Sequence, residues 1–325
     1  MRVALDTNIW SYLADSGEVA EFDARAAAAD LRIVTPPSIL LEVLYTRDPA
    51  RRMAIVEALC SGRRIRPPSE AQTMCEEVIA EIRRLHPEWL RRMPDTAEVA
   101  SLNSFWTKRI WREAHDRARA VRVDDVEKRH RELITRNQRT NTSNAKGEAF
   151  DIRDLNALLV KPEDGDALRG RGWRDERPVA MWRAENALLY WFQVVIVGSR
   201  SIVTGEDSTF ADWVGAYVNL RELRRHENEF FAMWLYDVET KAMLRNWIAW
   251  AIVWAQMQRR VEQSGAIDAQ HSSYLCDCGL FLTADKRFAH ALNIVADQAP
   301  APVATTRLVS GGNQNIVESI FDVLL

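Results

Sequence analysis

Met1-Arg-Val-Ala-Leu-Asp6-Thr-Asn-Ile-Trp10, MRVALDTNIW, is the stretch that decides the fold. Val3, Ala4 and Leu5 form a short apolar run with a β-branched member, which reads as a buried strand beginning almost at the first residue. It ends in Asp6, Thr7 and Asn8, three polar residues that do not continue a core strand. In an open parallel sheet, ligands bind beyond the carboxyl ends of the strands. A carboxylate at that edge is placed for chemistry. Asp and Thr are also good helix caps, so Asp6 reads equally as the cap of a helix beginning near Ile9.

The far end of the chain repeats the pattern. Asp268 to Gly279, DAQHSSYLCDCG, reads as a short helix closed by a glycine. Leu280-Phe281-Leu282-Thr283 reads as a second buried strand, and it too runs into an acid, Asp285. Nearer the start, Ile33-Val34-Thr35 is a strand stopped by Pro36-Pro37. Ser38 then caps a helix, SILLEVLYT, that carries Glu42 among Leu40, Leu41, Val43 and Leu44. An acid in that company is out of character unless it faces a polar pocket.

These four pieces resemble the PIN-domain nuclease family: the opening strand with Asp6-Thr7-Asn8, the helix with Glu42, the helix opened by Asp268, and Leu282-Thr283-Ala284-Asp285-Lys286-Arg287-Phe288. The order matches, and all four in order say more than any one of them. The resemblance covers the two ends of the chain, about 1–62 and 264–325. It implies an α/β fold with an open, mainly parallel sheet flanked by helices and assembled from both chain ends. The resemblance says nothing about the middle; residues 63–263 read from their own composition as a large, mostly α-helical insertion rich in Arg and Trp.

Four acids converging on one sheet edge repel one another. Two unit charges about 4 Å apart at an effective dielectric near 20 interact by roughly 4 kcal/mol. Protonation or a bound cation relieves this, and carboxylate oxygens at a wet edge suit Mg²⁺ or Mn²⁺. The expectation is therefore a site of Asp6, Glu42, Asp268 and Asp285 for one or two ions. Asp6 and Asp285 hold the first, and Glu42 and Asp268 share the second. The ions activate a water and neutralise charge on a phosphate. Asn8 orients that water and Thr283 supports an acid, in supporting roles that plain turn chemistry explains equally well. Lys286 and Arg287 can meet the scissile phosphate. His271, three residues after Asp268 on one helix face, can reach the same pocket, although a satisfied helix histidine is the plainer reading. By the resemblance, the reaction is phosphodiester hydrolysis leaving a 5′ phosphate and a 3′ hydroxyl. RNA is favoured over DNA, although the chemistry needs no 2′ hydroxyl.

The rest of the composition sets bounds. The chain has 325 residues, 47% hydrophobic and 27% charged, which is globular and long enough for one large or two modest domains. The net charge of −3 confines any nucleic-acid surface to a local patch. Cys276-Asp-Cys278 has no second pair, so buried thiols in a reducing cytoplasm are expected rather than a zinc site. No signal peptide precedes the first strand, and the apolar run Ala187–Gly198 is too short to span a bilayer. A cytoplasmic protein without membrane contact is expected.

Between the ends, Ile9–Ala29 reads as helix with a break at Asp15-Ser16-Gly17, and Asp48-Pro49 opens another helix ending near Cys60. Pro94-Asp95-Thr96 opens a helix that can run to about Arg139, followed by a polar loop to Gly147. Eleven of the twelve tryptophans fall between Trp89 and Trp254, at spacings that mean packing more often than base stacking. The arginines between Arg63 and Arg139 are interleaved with acids, as on an ion-paired surface. Asp207, Asp212 and Asp277 read as cap, loop or solvated residues. After Asp285, Arg287–Leu292 reads as a short helix, Asn293–Val295 as a strand, Thr306–Val309 as an edge strand and Ile316–Leu324 as a closing helix.

Three functional classes fit this pattern. The first is a metal-dependent nuclease, with toxin or phage-defence roles as analogies from the fold. The second is a catalytically degenerate scaffold that binds partners through the helical insertion. The third is a phosphatase of the haloacid-dehalogenase type, which wants a second Asp where Asn8 stands and leaves Glu42 and Asp268 unused. A neutralising or activating protein partner and a homo-oligomer are compatible with all three.

Overall fold

The computed structural model describes residues 1–120, 152–161, 171–174, 177–197, 210–257, 270–310 and 315–324. The chain divides into two compact units. One comprises Met1–Ser69, Trp106–Ala149 and Ile252–Leu325, and the other Glu70–Phe105 and Phe150–Ala251.

The first unit is built on a five-stranded sheet: β1 (Arg2–Leu5), β2 (Arg32–Val34), β3 (Arg64–Ile65), β4 (Leu280–Thr283) and β5 (Thr305–Leu308), in the order β3-β2-β1-β4-β5. Every neighbouring pair is parallel. Val3 stands opposite Ile33 on one side and Leu280 on the other, and Leu5 stands opposite Leu282. Val3, Ala4, Leu5 and all of β4 are buried, as expected of strands covered on both faces. Parallel strands need crossovers, and helices supply them. In chain order, the labelled helices of this unit are α1 (Thr7–Ser16), α2 (Val19–Ala28), α3 (Pro37–Leu44), α4 (Pro49–Cys60), α5 (Lys286–Gln298) and α6 (Ile316–Leu324).

Local chemistry sets the boundaries of these helices. Gly17 closes α1 at φ +73°, a left-handed conformation that glycine adopts at no steric cost. Asp48 caps α4, its carboxylate accepting from the Ala50 and Arg51 N–H groups. α1 buries Ile9, Trp10 and Leu13. The Trp10 ring meets Phe22 edge-on at 6.0 Å and lies 5.0 Å from the Arg64 guanidinium. Arg64 also pairs with Asp23 at 2.7 Å, which ties the edge strand β3 to α2. The segment Ala114–Ala120 packs on α3 and α4, and Arg52 donates to the Ala118 carbonyl at 2.6 Å.

Four details differ from the sequence expectation. β3 completes the sheet at Arg64–Ile65, where only one apolar residue marks it. Residues 286–298 form one helix instead of a helix and a strand, because Phe288, Ala291, Leu292 and Val295 share its buried face. Pro36, not Ser38, is the N-cap of α3. The turn before β4 ends at Cys276, and Gly279 uses its N–H to bond the Arg2 carbonyl at 3.0 Å. The expected loop at Arg139–Gly147 lies outside the described residues.

Among its described residues the second unit is helical apart from a short antiparallel pairing of Leu159–Val160 with Val179–Ala180 and a single antiparallel bridge between Leu90 and Val218. Its helix Glu70–Leu85 buries Met74, Cys75, Val78, Ile79 and Ile82. Met181–Tyr190 is an α-helix that continues as wider π turns to Val197. Of the eleven tryptophans from Trp89 on, all but Trp106 and Trp173 are buried, so these side chains are packing. Among the described residues, no helix is long and apolar enough to cross a membrane.

Candidate metal centre at the carboxyl edge of the sheet

β1 is flanked by β2 on one side and β4 on the other, so the sheet changes direction of growth between β1 and β4. Open parallel sheets bind ligands at such switch points, beyond the strand ends. The Asp6 N–H donates to the Leu282 carbonyl at 2.8 Å, which brings the ends of β1 and β4 level.

Asp6 is both cap and cluster residue. Its Oδ1 accepts from the Thr7 N–H at 2.8 Å and so caps α1. Its Oδ2 accepts from Asn8 Nδ2 at 2.7 Å and from the Thr283 hydroxyl at 2.6 Å. Asn8 is held in turn, because its Oδ1 accepts from the Ala284 N–H at 3.0 Å. Thr283 Oγ1 also accepts from the Asp285 N–H at 3.0 Å. Asp6 is buried, and burial lifts its carboxyl above the ordinary value. The His271 charge and the Thr283 hydrogen bond pull it back, the Glu42 charge raises it again, and the Thr7 N–H opposes.

Glu42 reaches the same place from α3. The Thr7 hydroxyl donates to its Oε2, and His271 Nε2 lies 2.9 Å from that oxygen. The other ring nitrogen of His271, Nδ1, lies 2.8 Å from Ser38 Oγ. Ser38 and Glu42 are one helical turn apart, so they present both partners of the imidazole on one face of α3. The His271 side chain is 1% exposed and that of Glu42 is 26% exposed, so solvent reaches the cluster through Glu42.

One potential ligand atom each from Asp6, Glu42 and His271 all lie within 4.8 Å of one another. Two carboxylates and an imidazole make a donor set that suits a divalent cation. The two carboxylates fit Mg²⁺ or Mn²⁺.

The remaining sequence candidates are placed differently. Asp285 is exposed and outside that group, and its Oδ1 caps α5 by accepting from the Arg287 and Phe288 N–H groups at 2.7 and 3.1 Å. Lys286 and Arg287 are exposed beside it. Asp268 and Asp207 lie outside the described residues. Asp212 is buried in the helical unit, and Asp277 is half-buried at the end of the turn before β4. The sequence reading gave Thr7 and Ser38 no part in the cluster. Their one visible signal was a hydroxyl next to, or one turn from, a candidate acid.

Ser38, His271 and Glu42 have the connectivity of an acyl-transfer triad, but Ser38 is fully buried and offers no nucleophile to a substrate. Fold and site together define an α/β protein with a mixed carboxylate–imidazole cluster at the switch point of a parallel sheet. No family model matches the chain, and no curated protein or solved structure matches it.

Proposed function

We propose that the chain is a divalent-metal-dependent phosphodiester hydrolase of PIN-like type acting on nucleic acid, with RNA as the favoured substrate. The observation that carries this reading is the convergence of Asp6, Glu42 and His271 at the carboxyl edge of the central strand. The resemblance of the chain ends to PIN nucleases supplies the reaction class. In this reading Asp6 and Glu42 hold Mg²⁺ or Mn²⁺, which supplies an acidified water and charge neutralisation at the phosphate.

The chain's own groups prepare that site. Thr283 and Asn8 fix Asp6, and the Thr7 hydroxyl fixes Glu42, so neither carboxylate has to reorganise. Glu42 is the member open to solvent, where substrate arrives. Lys286 and Arg287, exposed just past β4, supply positive charge for a phosphate backbone. Asn8 spends its amide on Asp6 and Ala284, and no second carboxylate stands there, which weighs against the dehalogenase-type phosphatase.

One observation favours a binding scaffold instead. Asp6 and Asp285 both have structural work as helix caps, so a fold that had lost catalysis could still keep them. Cleavage of labelled single-stranded RNA and DNA separates the readings. The nuclease requires cleavage with Mn²⁺ or Mg²⁺ that chelator abolishes and that Asp6→Asn and Glu42→Gln each lose. Absence of both cleavage and metal binding leaves the scaffold. Metal binding without cleavage points to a competent site that needs a specific substrate or an activating partner.

A further inference from the structure

We infer that His271 is itself a metal ligand through Nε2, which makes the centre an oxygen–oxygen–nitrogen site that selects Mn²⁺-like ions over Mg²⁺. This rests on the metal-site reading above and goes beyond the carboxylate-only site that the sequence suggests.

Nε2 stands 2.9 Å from Glu42 Oε2. Two ligand atoms about 2.1 Å from one ion and at right angles to each other stand roughly 3.0 Å apart. The observed spacing fits neighbouring ligands on one ion as well as it fits a hydrogen bond. Asp6 completes the group within 4.8 Å.

The far side of the ring points the same way. Metal-binding histidines almost always use the other ring nitrogen in a hydrogen bond that fixes tautomer and orientation. His271 Nδ1 has such a partner, Ser38 Oγ at 2.8 Å, inside a fully buried pocket. When Nδ1–H donates to Ser38, Nε2 carries the lone pair that faces the two carboxylates. In the opposite tautomer Ser38 donates, Nε2–H bonds Glu42, and His271 only positions that carboxylate. The two arrangements make different predictions about the metal.

Imidazole is a better match for the later first-row ions than for Mg²⁺, which prefers carboxylate, carbonyl and water oxygens. Ligation by His271 therefore predicts tighter binding of Mn²⁺ than of Mg²⁺ by about tenfold or more. Loss of the imidazole should remove most of that preference.

The test uses the full-length protein loaded with one equivalent of Mn²⁺. Electron spin echo spectroscopy detects ¹⁴N coupled to the bound ion directly and needs no turnover. The expected result is a nitrogen coupling in the wild type that disappears in His271→Gln. Calorimetry should show Mn²⁺ affinity falling about 10- to 100-fold in that variant, with Mg²⁺ affinity much less changed. The wild-type spectrum alone decides the point if His271→Gln fails to fold. Bound Mn²⁺ with no nitrogen coupling overturns the inference and leaves the carboxylate metal site standing. No Mn²⁺ binding at all overturns the metal-site reading as well.

Discussion

Exchanging the charge between Asp6 and Asn8 tests the hydrogen-bond logic of the site apart from any catalysis. Asp6 Oδ2 accepts from Asn8 Nδ2 at 2.7 Å, and Asn8 Oδ1 accepts from the Ala284 N–H at 3.0 Å. Asn8 therefore cannot turn its amide over without losing Ala284. Asp6→Asn sets an NH₂ group against the Asn8 NH₂ group if it keeps its carbonyl oxygen on the Thr7 N–H. The lost bond and the stranded buried donors cost about 1–3 kcal/mol each, partly offset by removing a charge that burial and Glu42 both disfavour. Asn8→Asp instead places two carboxylates in contact. One of them then takes a proton, which at pH 7 costs about 4 kcal/mol, from about 1.36 kcal/mol per unit over roughly three units. The double variant Asp6→Asn/Asn8→Asp restores the pairing: the new carboxylate accepts from both the residue-6 amide and the Ala284 N–H. A double-mutant cycle by urea unfolding at pH 7, followed by far-UV circular dichroism, should give a favourable coupling of about 3 kcal/mol. Coupling below about 0.5 kcal/mol, within the additivity of independent sites, would refute the placement of these groups.

Asp285→Ala removes the cap of α5 and should cost about 1 kcal/mol, whereas Asp285→Asn should cost only a few tenths. If Asp285 also serves hydrolysis, the Asn variant loses cleavage while keeping its melting temperature. Burial pushes Glu81 up, but the Arg84 hydrogen bond, the Glu239 N–H and the charges of Arg84 and Arg183 together hold its carboxyl below the ordinary 4.5. A depressed acid stabilises the fold above its ordinary value and loses that contribution as pH falls. Glu81→Gln should thus be less stable than wild type at pH 7, with the gap closing between pH 5 and the acid range, as urea midpoints will show. The Cys278 thiol is pushed up to about 12 by burial and then by the Asp277 charge. At pH 8 it should alkylate about 10³-fold more slowly than a free thiol, read by peptide mapping after iodoacetamide treatment of native protein.

The sequence was most legible where one physical signal ruled. β1 and β4 are continuous apolar runs because both faces of a parallel sheet are covered. Their ends are marked by Asp6 and Asp285 because those residues also cap the helices that follow. Legibility failed where the signal was short or shared. β3 is two residues at an edge, with Ile65 alone apolar, so no periodicity can show it. Asn293-Ile294-Val295 looks β-branched, yet it continues a helix whose buried face is set by Phe288, Leu292 and Val295. Ser38 was an attractive cap because a hydroxyl followed the two prolines. Pro36 and Pro37 start that helix by geometry, which leaves the hydroxyl to His271. His271 was legible as a residue able to reach the pocket, but its partners were not: Ser38 and Glu42 lie 233 and 229 residues away in sequence. The pairing of β1 with β4 brings the two chain ends together at this edge.

The most direct measurement is a crystal structure of the protein with Mn²⁺, with data collected at the manganese absorption edge. The expected result is an anomalous peak within coordination distance of Asp6 and Glu42, at the carboxyl edge between β1 and β4. Full occupancy of Mn²⁺ elsewhere, or no peak at that edge at millimolar Mn²⁺, would contradict it.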